Sequence, residues 1–517
     1  MNGAQALMTG AVASGIDVCF TNPGTTELAM IEALNDVKGI RPVLSLFEGV
    51  CTGAADGFGR MLGRPGMTLL HLGPGFANGI ANLHNARRAH TPIFNVIGDH
   101  ATWHVDYDPP LASDIPSLAR PVSDWFAYVK DASDCVARID EGIKICMTAP
   151  GKIATLAVPT DAQTGKTSIL DVRQNDKLLL SREFDERKVE ELAQRLSDKD
   201  GKVIFLLGTN ALTERGQNAA AKIAAKLKAK IYAETFPARW DRGSHISVPE
   251  RFPYFPEIGI KALKEATSVV LVGARAPIAY FGVSGLPSKL FPESSLFELA
   301  SNAEDAECAI EALAESIGAS DTQASSGGTS PVRPDLTRKL DVQSCGEMVA
   351  FLLPENSVAV VEGATSTPPF YTASPGGAPH TLITNTGGAI GQGMPVATGA
   401  AIACPERHVI NLQADGSGAY TVQALWTQAR EQLNVVTILC SNRKYGILQV
   451  EFERAGIDPK ADITDKMTSL DNPPLDWVAL AEGFGVPACK VQTPEELEMK
   501  LSRAIAEPGP HLIEVPL

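Results

Sequence analysis

The 517-residue chain has no apolar run of about 18 residues, which excludes a hydropathy-defined membrane span. It has no Cys-x-x-Cys pair and no Cys/His cluster; its nine cysteines stand singly. That pattern excludes a zinc site and a disulfide framework, and it fits thiols kept reduced in a cytoplasm. Basic residues are in short supply, with 45 Lys+Arg against 60 Asp+Glu and a net charge of −15. Nucleic acid is excluded as a partner, because neutralising phosphates takes clustered Lys and Arg. The amino terminus, MNGAQALMTG, lacks a basic start, so no signal peptide is expected. What is present is ordinary: 44% hydrophobic and 20% charged residues, the composition of a soluble globular protein. The length asks for about two to four domains.

Three segments follow one another, each with an α/β rhythm. In residues 1–165, helices are expected at Ala4–Ser14 and, opened by a Thr cap, at Thr26–Asn35. Strands are expected at Asp17–Phe20, Val43–Phe47, Thr68–His71 and Pro92–Ile97. Short apolar runs separated by helices imply a parallel sheet buried on both faces. The pattern lapses into polar residues around 160–185 and restarts over 186–315. There Glu186–Leu196, with Asp185 as its cap, and Ala219–Leu227 read as helices, and Val203–Leu207, Lys230–Ala233 and Ser268–Val272 as strands. Residues 317–334, rich in Ser, Gly, Thr and Pro, read as a flexible linker. The third segment, 335–517, is again α/β. The fold class is therefore α/β, with three consecutive parallel-sheet domains.

Two decoys can be set aside. TDAQTGKT at Thr160–Thr167 resembles a phosphate-binding loop, but Thr160 stands where the first glycine belongs and no clear helix follows, so it reads as linker. HLGPGFANG at His71–Gly79 lacks the dinucleotide glycine spacing and a ribose-binding acid. The informative stretch is ADGSGAYTVQALWTQAREQLNVVTILCSN, from Ala414 to Asn442. One apolar strand ends at Asp415 and the next at Asn442, 27 positions on. As parallel neighbours they project both side chains from the carboxyl edge of a sheet, where open α/β sheets bind ligands. An oxygen-only pair beside the Gly416–Ser417 turn suits a magnesium-bound diphosphate. Upstream, Gly387-Gly388-Ala389-Ile390-Gly391 precedes a helix at Pro395–Ala403 and lets the main chain approach a ligand closely.

Asp415-Gly416-Ser417 through Ser441-Asn442 resembles the thiamine diphosphate motif, with Ala414 in place of the usual leading glycine. NPGTTEL (Asn22–Leu28), LFEGVCTGAADGFGR and LLHLGPG resemble the pyrimidine-binding domain of acetolactate synthases and benzoylformate decarboxylases. Nearly the whole chain is covered, as a pyrimidine domain, a middle domain and a diphosphate domain. The resemblance implies that Asp415, Asn442 and the Lys444 backbone carbonyl hold Mg²⁺. It places Gly388, Ile390, Gly416, Ser417, Tyr445 and Gly446 around thiamine diphosphate, with Ile390 under the thiazolium. Glu48 is implied as the carboxylate on the pyrimidine nitrogen, in a poorly solvated site. His71, 23 positions on, is the implied acid–base, and Thr25 the contact to the substrate acid. His100 is a further catalytic candidate, and whether it or His104 faces the cavity stays open.

Two departures qualify the transfer. The middle-domain stretch ARAPIAYFGVSG has no histidine, leaving Tyr280 or Phe281 to fill the place of a second catalytic one. Leu448 stands where pyruvate decarboxylases carry a catalytic Glu. Both losses remove donors for releasing a free aldehyde, so carboligation and decarboxylation stay open together. FAD, which acetolactate synthases bind in the middle domain, does not follow from this segment. The resemblance implies a 2-oxo acid substrate and a homodimer or homotetramer with sites between subunits. A benzoylformate-type decarboxylase of an aromatic or branched 2-oxo acid and a non-catalytic homologue that binds the cofactor are the alternatives.

Overall fold

The computed structural model describes residues 1–168, 180–196, 202–324 and 327–517. The first segment forms a six-stranded sheet from β1 (Val18–Asn22), β2 (Arg41–Leu44), β3 (Gly66–His71), β4 (Ile93–Asp99), β5 (Trp125–Tyr128) and β6 (Ile153–Pro159). Its order is β2-β1-β3-β4-β6-β5, all parallel. The second segment contributes β7 (Val203–Leu207), β8 (Lys230–Ala233), β9 (Trp240–Arg242), β10 (Glu250–Arg251), β11 (Ser268–Val272) and β12 (Leu296–Ala300). Five of these make a parallel sheet of order β10-β8-β7-β11-β12. The third contains β13 (Ser357–Glu362), β14 (His380–Thr384), β15 (Val409–Ala414), β16 (Val435–Ser441), β17 (Ala488–Lys490) and β18 (His511–Pro516). With β9 they form the order β17-β18-β16-β15-β13-β14-β9. β6 and β7 are buried at every residue, so their apolar runs are continuous, as strands covered on both faces require.

The first and third segments meet through two helices of small residues. Helix α1 (Gly3–Ala13) and helix α2 (Leu28–Asp36) lie away from this contact; α3 (Glu48–Leu62) makes it, and α4 (Leu72–Ala89) flanks it. α3 packs on helix Gly393–Ala403 almost backbone to backbone. A Cβ on Gly57 would lie 2.1 Å from the Val396 carbonyl oxygen, and one on Gly399 1.8 Å from that of Ala54. Only glycine allows such an approach. A buried ion pair ties all three segments together. Arg60 binds Asp56 (2.6 Å) and donates to the carbonyls of Thr384 (2.7 Å) and Ala238 (3.4 Å).

Several expectations need correction. The Val43–Phe47 strand is Arg41–Leu44, so Glu48 does not close a strand but opens α3. The Thr cap is absent at Thr26–Asn35; a 3-10 turn, Thr25–Glu27, leads into α2, and the Glu27 carboxylate accepts from the Gly24 N–H (2.7 Å). Acceptance by a side chain three residues on competes successfully with a Thr hydroxyl. Thr160–Thr164 is no linker but a helical turn whose Gln163 donates to the carbonyls of Thr26 and Val158, both at 2.8 Å. The helix expected at Ala219 begins at Glu214, capped by Thr213. The third sheet is not purely parallel, because β9 crosses from the second segment to pair antiparallel with β14. In the expected flexible linker, Thr329 packs closely: its carbonyl oxygen would be 2.0 Å from a Cβ on Gly376. Part of the 160–185 lapse, RQNDK, lies outside the described residues.

Candidate active site

β15 and β16 are parallel neighbours in register Ala414↔Cys440, so Asp415 and Asn442 leave the same sheet edge side by side. Asp415 is 2% exposed, and its carboxylate accepts from the main-chain N–H of Gly416 (2.8 Å) and Arg443 (2.6 Å). Burial pushes its pKa above the usual Asp value, against the pull of those two bonds. Among the described residues no Lys or Arg side chain pairs with it; Arg443 reaches Asp471 instead. A buried carboxylate without a counter-ion, beside an amide and a carbonyl, is a donor set for a hard cation. The Asn442 Oδ1 accepts from the Lys444 N–H (3.1 Å), and the Lys444 carbonyl from the Gly446 N–H (3.0 Å), leaving each oxygen a further lone pair. The Tyr445 ring lies over Gly416, where a Cβ would meet it at 2.6 Å. Helix Gly446–Arg454, which follows, buries none of its side chains, and Leu448 on it is 45% exposed.

At the carboxyl edge of the first sheet, β3 and β4 are neighbours in register His71↔Gly98, which sets His71 beside the Asp99-His100 turn. Glu48 is 8% exposed and accepts from Asn78 of α4 (3.0 Å). Its Oε1 and the His71 Cβ both flank Gly75, at 3.0 and 3.4 Å from where a Cβ would stand. Glu48 and His71 are thus brought together. The ring of His71 is wrapped by the NPGTTEL segment: Nδ1 lies 2.9 Å from the Glu27 carboxylate and 3.0 Å from the Thr26 hydroxyl. Thr25, by contrast, is exposed on the rim. The His100 Nε2 is enclosed and has no hydrogen-bond partner among the described residues, whereas the His104 ring lies among those of His100, Trp103 and Tyr107, the last two exposed. Of the two histidines, His100 carries the unpaired, enclosed nitrogen.

The Gly387–Gly391 loop is held from two sides. Asn85 of α4 donates to the Ala389 carbonyl (2.7 Å) and accepts its N–H (3.1 Å), while Asn82 reaches the carbonyls of both Gly49 (2.8 Å) and Gly391 (3.4 Å). Gly388 and Gly391 have φ of +78° and +94°, and Ile390 is left 37% exposed. Beneath the loop, the Glu362 carboxylate accepts four N–H bonds, from Gln392, Gly393, Asn385 and Gln413, between 2.8 and 3.1 Å. Gln413 also donates to Ser417 (2.6 Å), so the Ile390 loop and the Asp415 turn share one buried network.

Glu27 and Glu362 were not anticipated. Glu27 is fully buried, and burial pushes its pKa up while Thr26, the Gly24 N–H and His71 draw it down. Its place in the quoted NPGTTEL motif was the available signal. Glu362 ends an unremarkable apolar strand, and its four partners come from three other stretches of chain. The second segment sends Tyr280 and Phe281 toward the same loop: the Tyr280 Oη sits 1.8 Å from where a Cβ on Gly388 would be.

Residues 1–117 match the N-terminal TPP binding domain of thiamine pyrophosphate enzymes, and residues 369–515 match the C-terminal one. The chain is 41% identical over 531 residues to IlvX of Mycobacterium tuberculosis, named as a candidate acetolactate synthase large subunit, covering 100% of this chain and 99% of that one. It is 28% identical over 537 residues to benzoylformate decarboxylase of Pseudomonas aeruginosa, covering 97% and 96%. In fold it resembles the thiamine diphosphate-dependent 4-hydroxybenzoylformate decarboxylase of Rhodococcus jostii, with a TM-score of 0.88 at 23% identity over 100% and 99% of the chains. The chain belongs to the thiamine pyrophosphate enzyme family that includes these synthase large subunits and decarboxylases.

Proposed function

We propose that this enzyme is a decarboxylase and carboligase of 2-oxo acids, working with thiamine diphosphate and Mg²⁺. Residues 1–165 form the pyrimidine-binding domain, 186–315 the central domain and 335–517 the diphosphate domain. The observation that carries the reading is the buried Asp415 carboxylate beside Asn442, with no Lys or Arg partner among the described residues, in a chain whose Glu48 is held on a helix start near His71. When bound, thiamine diphosphate supplies a nucleophilic carbon that adds to the 2-oxo group and takes up the electrons left as CO₂ departs. Asp415, Asn442 and the Lys444 carbonyl hold the cation. Gly416, Ser417, Tyr445 and Gly446 line the diphosphate, and Gly388 and Ile390 support the rings.

Glu48, screened from water, holds a proton against a ring nitrogen. His71 donates through Nδ1 to Glu27, which leaves Nε2 to move a proton at the substrate oxygen. Thr25 and His100 face the substrate acid. The enzyme is cytoplasmic and works as a homodimer or homotetramer with sites between subunits. Among the described residues, no helix is long and apolar enough to cross a membrane.

The test is Glu48→Gln, assayed for CO₂ release over a panel of 2-oxo acids with and without thiamine diphosphate. Loss of about a hundredfold or more in turnover is expected, the scale of a lost proton-handling group. Unchanged turnover would overturn the reading. Identifying the products as aldehyde or hydroxyketone separates the decarboxylase from the synthase.

A further inference from the structure

A cleft of about 1360 Å³ runs between the three segments and opens onto Gly387, Gly388 and Ala389. Five arginines line it, against three carboxylates, Glu234, Asp305 and Glu307. Four are engaged. Arg60 is paired with Asp56, Arg239 donates to the Met61 carbonyl, Arg182 to that of Pro150, and Arg275 to the His90 ring (3.1 Å). Arg88 makes no hydrogen bond or ion pair among the described residues and is exposed to the cleft. A cation in the last turn of α4 complements the helix dipole, which accounts for its sign.

His84, one helical turn before Arg88 on α4, lies 3.1 Å from the Gly387 carbonyl, and Tyr280 stands over the next residue, Gly388, in the same cleft. The Arg88 charge opposes the rise that burial produces in the Tyr280 phenol pKa. Its ring is fixed by an aromatic cluster, with centroids 4.8 Å from Phe281, 5.2 Å from Tyr254 and 5.7 Å from Phe236. Its hydroxyl rests on Gly388 and has no partner among the described residues. A free guanidinium fork and a free hydroxyl, facing a wall of Phe281 and Ile278, suit a small carboxylate with an apolar tail.

We propose that Arg88 and Tyr280 form the subsite for the carboxylate of the acceptor 2-oxo acid in carboligation. The inference rests on the function proposed above. Arg88 grips the carboxylate in a bidentate pair, Tyr280 donates the third hydrogen bond, and the 2-oxo carbon is presented beside Gly388.

The test holds a 2-oxo acid donor at saturation and compares two acceptors, 2-oxobutanoate and propanal, the second lacking the carboxylate. Arg88→Gln should raise the KM for 2-oxobutanoate about ten- to a hundredfold, the worth of a charge-assisted hydrogen bond, and leave that for propanal within about twofold. Tyr280→Phe should shift the same ratio less, and Arg88→Lys should recover part of the loss. If propanal is no acceptor at all, the 2-oxobutanoate KM decides alone. An unchanged KM, equal rises for both acceptors, or a wild-type enzyme that forms only aldehyde would overturn the subsite. Turnover surviving in Glu48→Gln would instead overturn the underlying function, so the two failures are distinguishable.

Discussion

Replacing Glu27 by glutamine keeps the side chain's size and removes its charge from a fully buried position. Three donors converge on that carboxylate: the Gly24 N–H at 2.7 Å, the Thr26 hydroxyl at 2.7 Å and the His71 Nδ1 at 2.9 Å. Gln offers one neutral acceptor oxygen and an NH₂ group, so the Thr26 hydroxyl must turn to accept, or the NH₂ faces the Gly24 N–H and the His71 Nδ1; either way His71 loses its charged partner. A hydrogen bond to a charged group contributes about 1.5–3 kcal/mol, and losing it at His71 lets the ring turn or change tautomer. At about 1.4 kcal/mol per decade, kcat/KM should fall roughly ten- to a hundredfold. Because Glu27 acts through His71, the decisive assay is a double-mutant cycle. In Glu27→Gln/His71→Ala, kcat/KM should be no lower than in His71→Ala alone, while thermal unfolding reports the structural cost separately. Additive losses would refute the claim that Glu27 positions the imidazole.

Other outcomes are as definite. Arg60→Met leaves Asp56 buried and unpaired, and denaturant titration should show a loss of about 3–5 kcal/mol. Gly399→Val drives a side chain into the Ala54 carbonyl, prying α3 from its partner helix; a loss above about 1–3 kcal/mol in unfolding free energy is expected, or no soluble protein. Burial raises Glu234 to about 7. Its folded pKa lies above the unfolded value, so its contribution is full below pH 4.5 and is lost as pH rises through about 7, by up to about 3 kcal/mol. Glu234→Gln should flatten that part of the stability–pH curve, and an unaltered curve would count against the burial of this carboxyl group.

Of the second sheet, β7 and β11 were legible because burial at every residue writes them as unbroken apolar runs, and the half-buried β8 was also found, while β10 and β12 were not. Val203–Leu207, Lys230–Ala233 and Ser268–Val272 are bounded as expected. β9 was not, since three residues in a loop carry no period and Trp240–Arg242 gains its ladder only from β14. Asp415 and Asn442 were legible because each ends a strand and the strands pair. Glu48 was singled out by residue type and motif while its local structure was misread, for Ser45–Phe47 prolongs the run past the strand's end at Leu44. Glu27 escaped because its meaning depends on a histidine 44 positions away. The free state of Arg88 depends on four other arginines being occupied, and no spacing encodes that.

The packing of α3 against helix Gly393–Ala403 leaves no slack between two carbonyl-lined backbones, while helix Gly446–Arg454 rests on nothing that it buries. The next helix, Asp462–Thr468, buries only Thr468 and exposes Ile463 and Met467 by 66% and 69%. One wall of the site is therefore stiff and the other compliant. Amide protons of the stiff pair should exchange only when the whole molecule opens, and those of 446–468 through local opening at little cost in free energy. Asn442 and Lys444 stand at the leading end of the compliant wall. A diphosphate held there would be recorded as protection spreading through residues that touch no ligand, and the order it imposes would be taken from its binding affinity.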